Sequence, residues 1–273
     1  MSNGSRVEIG LQFEFDIPDE LPSVERVYFG NRFCYTRFLE KKAEIPKLAE
    51  RIRASGAKAI LCIPHGLREA YYDEVVSAVE GSLAALDGVM ASDLGVCRAF
   101  RDRTEVTYFG PVLNLRSAEV IIERAAHRLR PFPTLVDLLG EIGRAGRLEV
   151  LVHGRFPFGF SPRCQTRHRL GCERCGTPLP VSSKLYRFEV RGNAYYTAWL
   201  LCGYDIRDRL SPDGVETWLI EAEGIGQGEL ARLVGAYRGE LPLEVDPEVC
   251  SNGLYFTKPD GSFRPWMMYF SGP

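Results

Sequence analysis

"RVYFG" (26–30), "IPKLAERIRASG" (45–56) and "KAILCIP" (58–64) follow one another along the chain, and their order decides the fold. The first is a short apolar and aromatic run closed by glycine, which reads as a buried strand. In the second, Ile45, Leu48 and Ile52 recur at helical spacing and Gly56 supplies a stop. The third is another short apolar run. Strand, helix and strand in this order make the repeating unit of a parallel α/β fold.

Outward from this unit the alternation continues. A polar helix is expected near 69–80, leading to "GVMASDLG" (88–95), and "TEVTYFG" (104–110) reads as a strand. Ser117 is expected to cap an apolar helix, "AEVIIERAAHR" (118–128). Thr134 with Asp137 resembles a capping box opening "LVDLLGEIGRAG" (135–146), which feeds the strand "RLEVLVHG" (147–154). "KLYRFEVRGNAYYTAWL" (184–200) alternates about Gly192-Asn193 and reads as a hairpin. "DIRDRLSP" (205–212) is expected as a strand, with "VETWLIEAEG" (215–224) and "GELARLVGAYRG" (228–239) as helices. Repeated βα units over 273 residues predict an α/β fold, a TIM-type (β/α) barrel, incomplete or distorted, in one domain spanning 1–273. An open doubly wound sheet is the alternative.

Composition narrows the functions. The formal net charge is -2, so no global basic field recommends a nucleic acid, and any basic patch is local. The opening "MSNGSRVEIG" lacks the apolar core of a signal peptide, and no run reaches the length of a membrane helix, so a cytoplasmic protein without a membrane span is expected. Eight cysteines in such a chain are read as reduced thiols or metal ligands rather than disulfides.

Three of these cysteines crowd into "SPRCQTRHRLGCERCG" (161–176), the core of a predicted ligand-binding loop at 161–180. Cys172 and Cys175 form a Cys-x2-Cys pair, and Cys164 precedes Cys172 by eight positions. Cys34 lies just past the end of "RVYFG" and Cys164 in the loop past "RLEVLVHG". In a barrel, both belong to the C-terminal face, where loops from different strands converge and active sites form. Four thiolates suit tetrahedral zinc or an iron-sulfur centre, and spacing alone does not choose; a three-plus-one arrangement suits a cluster better than a zinc ribbon. Arg163, Arg167, Arg169 and Arg174 are placed to offset the negative charge of a thiolate-bound cluster. Cys62, Cys97 and Cys202 read as small buried apolar residues, whereas Cys250 sits in a polar turn and is a reserve ligand.

"VLVHGRFPFGFSPRC" (150–164) resembles the strand and loop before the cysteine motif of the collagenase-like (class U) peptidase family, which includes oxygen-independent hydroxylation proteins. "VYFGNRFC" (27–34), "SDLG" (92–95), "GPVLN" (110–114), "RLSPDG" (209–214) and "CSNGLYF" (250–256) are similar to further segments of that family. The Cys172/Cys175 pair is separated by two residues where the family usually has three. The resemblance implies a 4Fe-4S cluster held by Cys34, Cys164, Cys172 and Cys175. The early ligand Cys34 points to the branch serving anaerobic ubiquinone biosynthesis. It also implies a small aromatic or quinone-like substrate, prephenate as an oxygen donor, and a heterodimer with a UbiU-like protein partner. An RNA-modifying hydroxylase of the same family, and a metal-stapled scaffold or redox sensor, are the alternative functions.

Candidate catalytic residues are His153 and Asp93 and Asn114, all near strand ends, with Arg155 as a bidentate clamp for a carboxylate. His65 follows another strand and is read as structural in the first instance; His168 is expected to face solvent. No Ser-His-Asp order, phosphate-cradling glycine loop or HExxH motif is present, so the motifs give peptidase chemistry no support.

Overall fold

The computed structural model describes residues 7–132, 136–161, 164–172, 179–182, 187–191, 194–197, 200–204, 207–210, 214–245 and 250–251. In chain order the strands are β1 (Glu8–Gln12), β2 (Arg26–Phe29), β3 (Lys58–Cys62), β4 (Gly88–Ala91), β5 (Glu105–Gly110), β6 (Arg128–Pro131), β7 (Arg147–Gly154), β8 (Pro157–Phe160), β9 (Leu179–Ser182), β10 (Arg187–Arg191), β11 (Ala194–Thr197), β12 (Leu200–Cys202), β13 (Val215–Glu221) and β14 (Cys250–Ser251). The helices are α1 (Tyr35–Glu40), α2 (Ile45–Ala54), α3 (Glu69–Glu80), α4 (Leu94–Phe100), α5 (Leu115–Arg124), α6 (Val136–Gly143), α7 (Gln165–Leu170) and α8 (Gln227–Tyr237).

Strands β1 to β7 pair side by side in sequence order, and β13 pairs with both β1 and β7, all in parallel. The result is a closed eight-stranded barrel ringed by helices, the TIM-type architecture the alternation predicts. Its distortions are local. Among the described residues β1 runs to β2 without a helix, and between β7 and β13 the chain departs into a second antiparallel sheet, ordered β8-β11-β10-β9. β10 and β11 pair Arg191 with Ala194, the hairpin expected about 192–193. β12 returns antiparallel to β7.

The helices form where the sequence places an apolar stripe. On α2, Ile45, Leu48, Ala49 and Ile52 are buried on one face, and the helix ends at Ser55 before Gly56 in a left-handed conformation. Two further glycines shape the C-terminal rim. Gly30 follows β2 at φ 115°, where a Cβ would meet the Cys62 carbonyl oxygen at 2.8 Å. Gly154 ends β7 at φ 131°, where a Cβ would lie 2.2 Å from the Cβ of Glu221. Only glycine accepts both the backbone angle and the approach.

Several expectations are corrected. The cap of α5 is Asn114, whose Oδ1 accepts from the Ser117 amide at 2.8 Å, so the helix starts and stops earlier than 118–128. Arg128, the last residue of the expected helix, instead opens β6. "VETWLIEAEG" is not a helix: it supplies β13, the closing strand. Its apolar residues lack alternation because the strand buries both faces, one toward the barrel interior and one toward the helices. "DIRDRLSP" yields turns at 207–210 rather than a strand, with the Leu210 carbonyl accepting from Trp218 Nε1 at 3.0 Å. Thr134 of the expected capping box lies outside the described residues.

The barrel interior is charged. Arg26, Arg128 and Arg130 are among the largest fully buried side chains. Arg26 and Arg128 are surrounded by carboxylates near the N-terminal ends of the strands. Arg128 lies 3.0 Å from Glu216, 3.3 Å from Glu105, 3.6 Å from Glu8 and 3.9 Å from Glu149. Arg26 pairs closely with Glu105 and lies 3.8 Å from Glu149, and its Nε donates to the Tyr28 hydroxyl at 2.9 Å. Thr107 and Thr217 complete the layer with hydroxyl bonds to Glu149 and Glu8. No described helix is long and apolar enough to cross a membrane.

Candidate functional site

The loop after β2 carries the first half of the site, and one buried asparagine shapes it. Asn31 Oδ1 accepts from the amides of Phe33 (3.0 Å) and Cys34 (2.7 Å), while its Nδ2 donates to Glu14 Oε2 at 3.0 Å. This turn sends Phe33 inward and sets Cys34 at the start of α1, where its Sγ accepts from the Arg37 amide at 3.5 Å. Cys164 is the same device on the other side of the mouth: it caps α7, and its Sγ accepts from the Arg167 amide at 3.3 Å.

The two loops meet. The Cys34 thiol is pushed up, first by burial and further by the nearby Cys164 and Cys172, against amide hydrogen bonds from Arg37 and Thr36 that pull it down. Cys164 and Cys172 therefore both lie within electrostatic reach of Cys34, across 130 positions of sequence (164 minus 34) for the first of them. Cys175, Arg163 and Arg174 lie outside the described residues. Arg167 and Arg169 are exposed on α7. Among the described residues no three His, Cys, Asp or Glu side chains stand in metal-holding geometry. Cys34 and Cys164 are turned instead to backbone amides of their own helices. The donor chemistry nonetheless fits a soft metal centre: three thiols with a fourth within the same loop.

Beside the thiols opens a cavity of about 490 Å³ at the C-terminal ends of β3 to β6. Phe33, Phe109, Phe132, Phe158 and Phe160 line it, with His65. Phe33 precedes Cys34 directly and Phe160 lies four positions before Cys164, so the cavity and the cysteines share the same two loops. His65 packs at 5.2 Å from the Phe33 ring and 4.8 Å from that of Phe109. Among the described residues neither of its ring nitrogens has a hydrogen-bond partner. Burial pushes its pKa down to about 3, with the positive charges of Arg32 and Arg130 adding to the effect.

Arg32 ion-pairs with Glu221, and its guanidinium lies over the Phe33 ring. Glu14, in the same polar group, is pushed up to about 7 by burial and by Glu223, against Arg32 and the Asn31 hydrogen bond. Arg130 donates to Gln12 Oε1 and lies over Phe109 at 5.0 Å. Among the described residues none of its nitrogens is within ion-pair distance of a carboxylate.

The other candidates fall elsewhere. His153 on β7 packs against Tyr237 of α8, its Nδ1 3.4 Å from the tyrosine hydroxyl, and burial lowers its pKa to about 4. Asp93 caps α4 by accepting from the Val96 amide at 3.0 Å, and Asn114 caps α5. Arg155 donates to the Thr197 carbonyl at 3.1 Å and lies 3.4 Å from Glu189, so the inserted sheet already engages it. Cys62, Cys97 and Cys202 are buried, as expected. Cys250 sits on β14, beside Leu200 of β12. His168 lies on α7. Sequence reasoning passed over Asn31, Arg32 and Arg130; the first two stand in the quoted "VYFGNRFC", where two polar residues interrupt an otherwise apolar and aromatic run.

No protein-family model matches the chain, and no curated protein does. Among solved structures, a U32 peptidase aligns with 82% of this chain and 96% of its own at 13% identity and a TM-score of 0.49. Mycobacterium tuberculosis tryptophan synthase aligns over 88% and 94% at 12% identity and a TM-score of 0.45. Both likenesses are remote, and the fold rests on the strand order itself.

Proposed function

We propose that this chain is the iron-sulfur subunit of an oxygen-independent hydroxylation system, similar to UbiV, with Cys34, Cys164, Cys172 and Cys175 holding a 4Fe-4S cluster. A small aromatic or quinone-like molecule is the substrate, and a UbiU-like chain is the partner. The observation that carries the reading is the convergence of Cys34 with Cys164 and Cys172 at the C-terminal mouth of the barrel, beside an aromatic cavity. Such a centre supplies one-electron chemistry without dioxygen. The chain's own part is to hold the substrate ring among phenylalanines, to keep water from it, and to fix the Cys34 loop through Asn31. Motif resemblance in "VLVHGRFPFGFSPRC" and the three-plus-one cysteine spacing support the family assignment.

The test is purification without oxygen, followed by iron and acid-labile sulfide quantification for the wild type, Cys34→Ala and Cys250→Ala. The reading expects iron and sulfide in equal amounts, about four of each per chain. It expects Cys34→Ala to lose them and Cys250→Ala to keep them. Zinc in place of iron overturns the cluster, and full iron in Cys34→Ala with loss in Cys250→Ala reassigns the fourth ligand.

A further inference from the structure

We propose that the mouth cavity binds a flat aromatic acid, its ring among Phe33, Phe109 and Phe160 and its anionic oxygen hydrogen-bonded to His65. The inference rests on reading the cavity as the substrate site, but not on the cysteines.

The volume, about 490 Å³, is in the range of small-molecule sites. The walls select for a ring. Aromatic side chains reach the cavity from the loop after β2 (Phe33), from β5 (Phe109) and from β8 (Phe160), offering faces and edges to a planar guest. Phe158 and Phe160 are 49% and 50% exposed, so the rim presents apolar surface to solvent. Exposed large apolar groups beside a cavity mark a binding site better than a stable surface.

Beside Ser92 and Tyr108, a buried imidazole faces this apolar wall. His65 is 6% exposed, lines the cavity, and among the described residues has a partner at neither ring nitrogen. Buried polar atoms in folded proteins are nearly always satisfied, and leaving one bare is costly. A ligand oxygen in the cavity supplies the missing acceptor.

The charge of that ligand follows from the surroundings. Among the described residues the charged groups acting on His65 are Arg32 and Arg130, both cationic, with no carboxylate beside them. Burial is the larger cause of the His65 shift and resists any charge, but the positive potential of the two guanidiniums sets the sign, favouring an anion over a cation in the same place. Glu221 ion-pairs with Arg32, whereas Arg130, among the described residues, contacts Gln12, Met90 and aromatic faces and feels Glu221 and Glu149 only from beyond ion-pair distance. A buried cation without a directly paired carboxylate is expensive to keep, and a ligand carboxylate or phenolate balances it.

Three aromatic probes, benzoate, benzyl alcohol and benzylamine, and a non-aromatic control, cyclohexanecarboxylate, separate the possibilities, each titrated at pH 7 by calorimetry into the oxygen-free protein as purified. The expected order is benzoate first, benzyl alcohol about tenfold weaker, and benzylamine without measurable binding. His65→Leu is expected to weaken benzoate about tenfold, and Phe160→Ala, at a half-exposed rim position, to weaken benzoate and benzyl alcohol alike. Where His65→Leu does not fold, the ring-nitrogen NMR shifts of His65 in the wild type report the same contact on adding benzoate. Benzylamine binding as tightly as benzoate, cyclohexanecarboxylate matching benzoate, unmoved His65 shifts, or no binding by any probe overturns the inference. Iron content reads the cluster and these titrations read the cavity, so a protein that binds benzoate without iron sinks only the cluster, and the converse sinks only this inference.

Discussion

At the N-terminal end of the barrel strands, Arg26 and Arg128 stand among the carboxylates of Glu8, Glu105, Glu149 and Glu216. At the C-terminal end, Arg130 has no carboxylate within ion-pair distance among the described residues, and both nitrogens of His65 lack a partner. The same residue types thus serve two purposes in one barrel. Where charge is matched, the interior is a plug that holds eight strands in register. Where it is left unmatched, beside aromatic walls and thiols, the interior is prepared for something the chain does not supply itself. This division follows the general rule that the C-terminal face of such barrels carries function and the opposite face stability.

The sharpest way to break the comparison is the same substitution at both ends. Arg128→Met strands the buried Glu149 and its neighbours, and is expected to cost about 3–5 kcal/mol in urea unfolding at pH 7. A loss below about 1 kcal/mol would mean that the plug does not hold the fold. Arg130→Met removes a charge that no carboxylate matches, and is expected to leave stability within about 1 kcal/mol or to raise it.

Acid sharpens the contrast next. His65 has a folded pKa of about 3 against an ordinary 6.5, so it binds a proton more readily once unfolded. Its contribution is complete above pH 6.5 and is lost progressively as pH falls from there to its folded value of about 3. Glu14, pushed up to about 7, acts in the opposite sense: its contribution is complete below pH 4.5 and lost as pH rises toward 7. His65→Gln is therefore expected to cut the wild type's stability loss between pH 6.5 and 5 by about 2 kcal/mol in parallel unfolding curves. Equal losses in both proteins would show that His65 is not held neutral in the fold.

The smallest effect belongs to neither end. Lys42 and Glu74 pair at 3.4 Å with both side chains half exposed, and Lys42→Ala is expected to shift the unfolding midpoint by less than about 0.5 kcal/mol. A larger shift would undo the claim that charge matters here chiefly where it is buried.

The rhythm of β2, α2 and β3 was legible because their apolar residues sit where periodicity expects them. The strands β1 and β6 were not, for a physical reason that is the same in both. "EIGLQ" and "RLRP" place Glu8, Gln12, Arg128 and Arg130 inside the barrel, and a pattern search expects apolar residues there. β13 was mistaken for a helix because Val215, Trp218, Leu219 and Ala222 have helical spacing, although all face buried surroundings in a strand and its end. At the site, the cysteines stood out by their rarity and spacing. His65 was read as structural, since nothing in one sequence tells that a histidine after "LCIP" will line a cavity between phenylalanines contributed by β5 and β8. Its lack of a partner is a property of three dimensions alone.

The claim on which the rest depends is that Cys34 joins the later three cysteines around iron. Anomalous diffraction at the iron absorption edge, on crystals grown without oxygen, tests it most directly. The account predicts one compact iron peak within bonding distance of the sulfurs of Cys34, Cys164, Cys172 and Cys175. A peak that excludes Cys34, or a single metal site responding at the zinc edge instead, would contradict it.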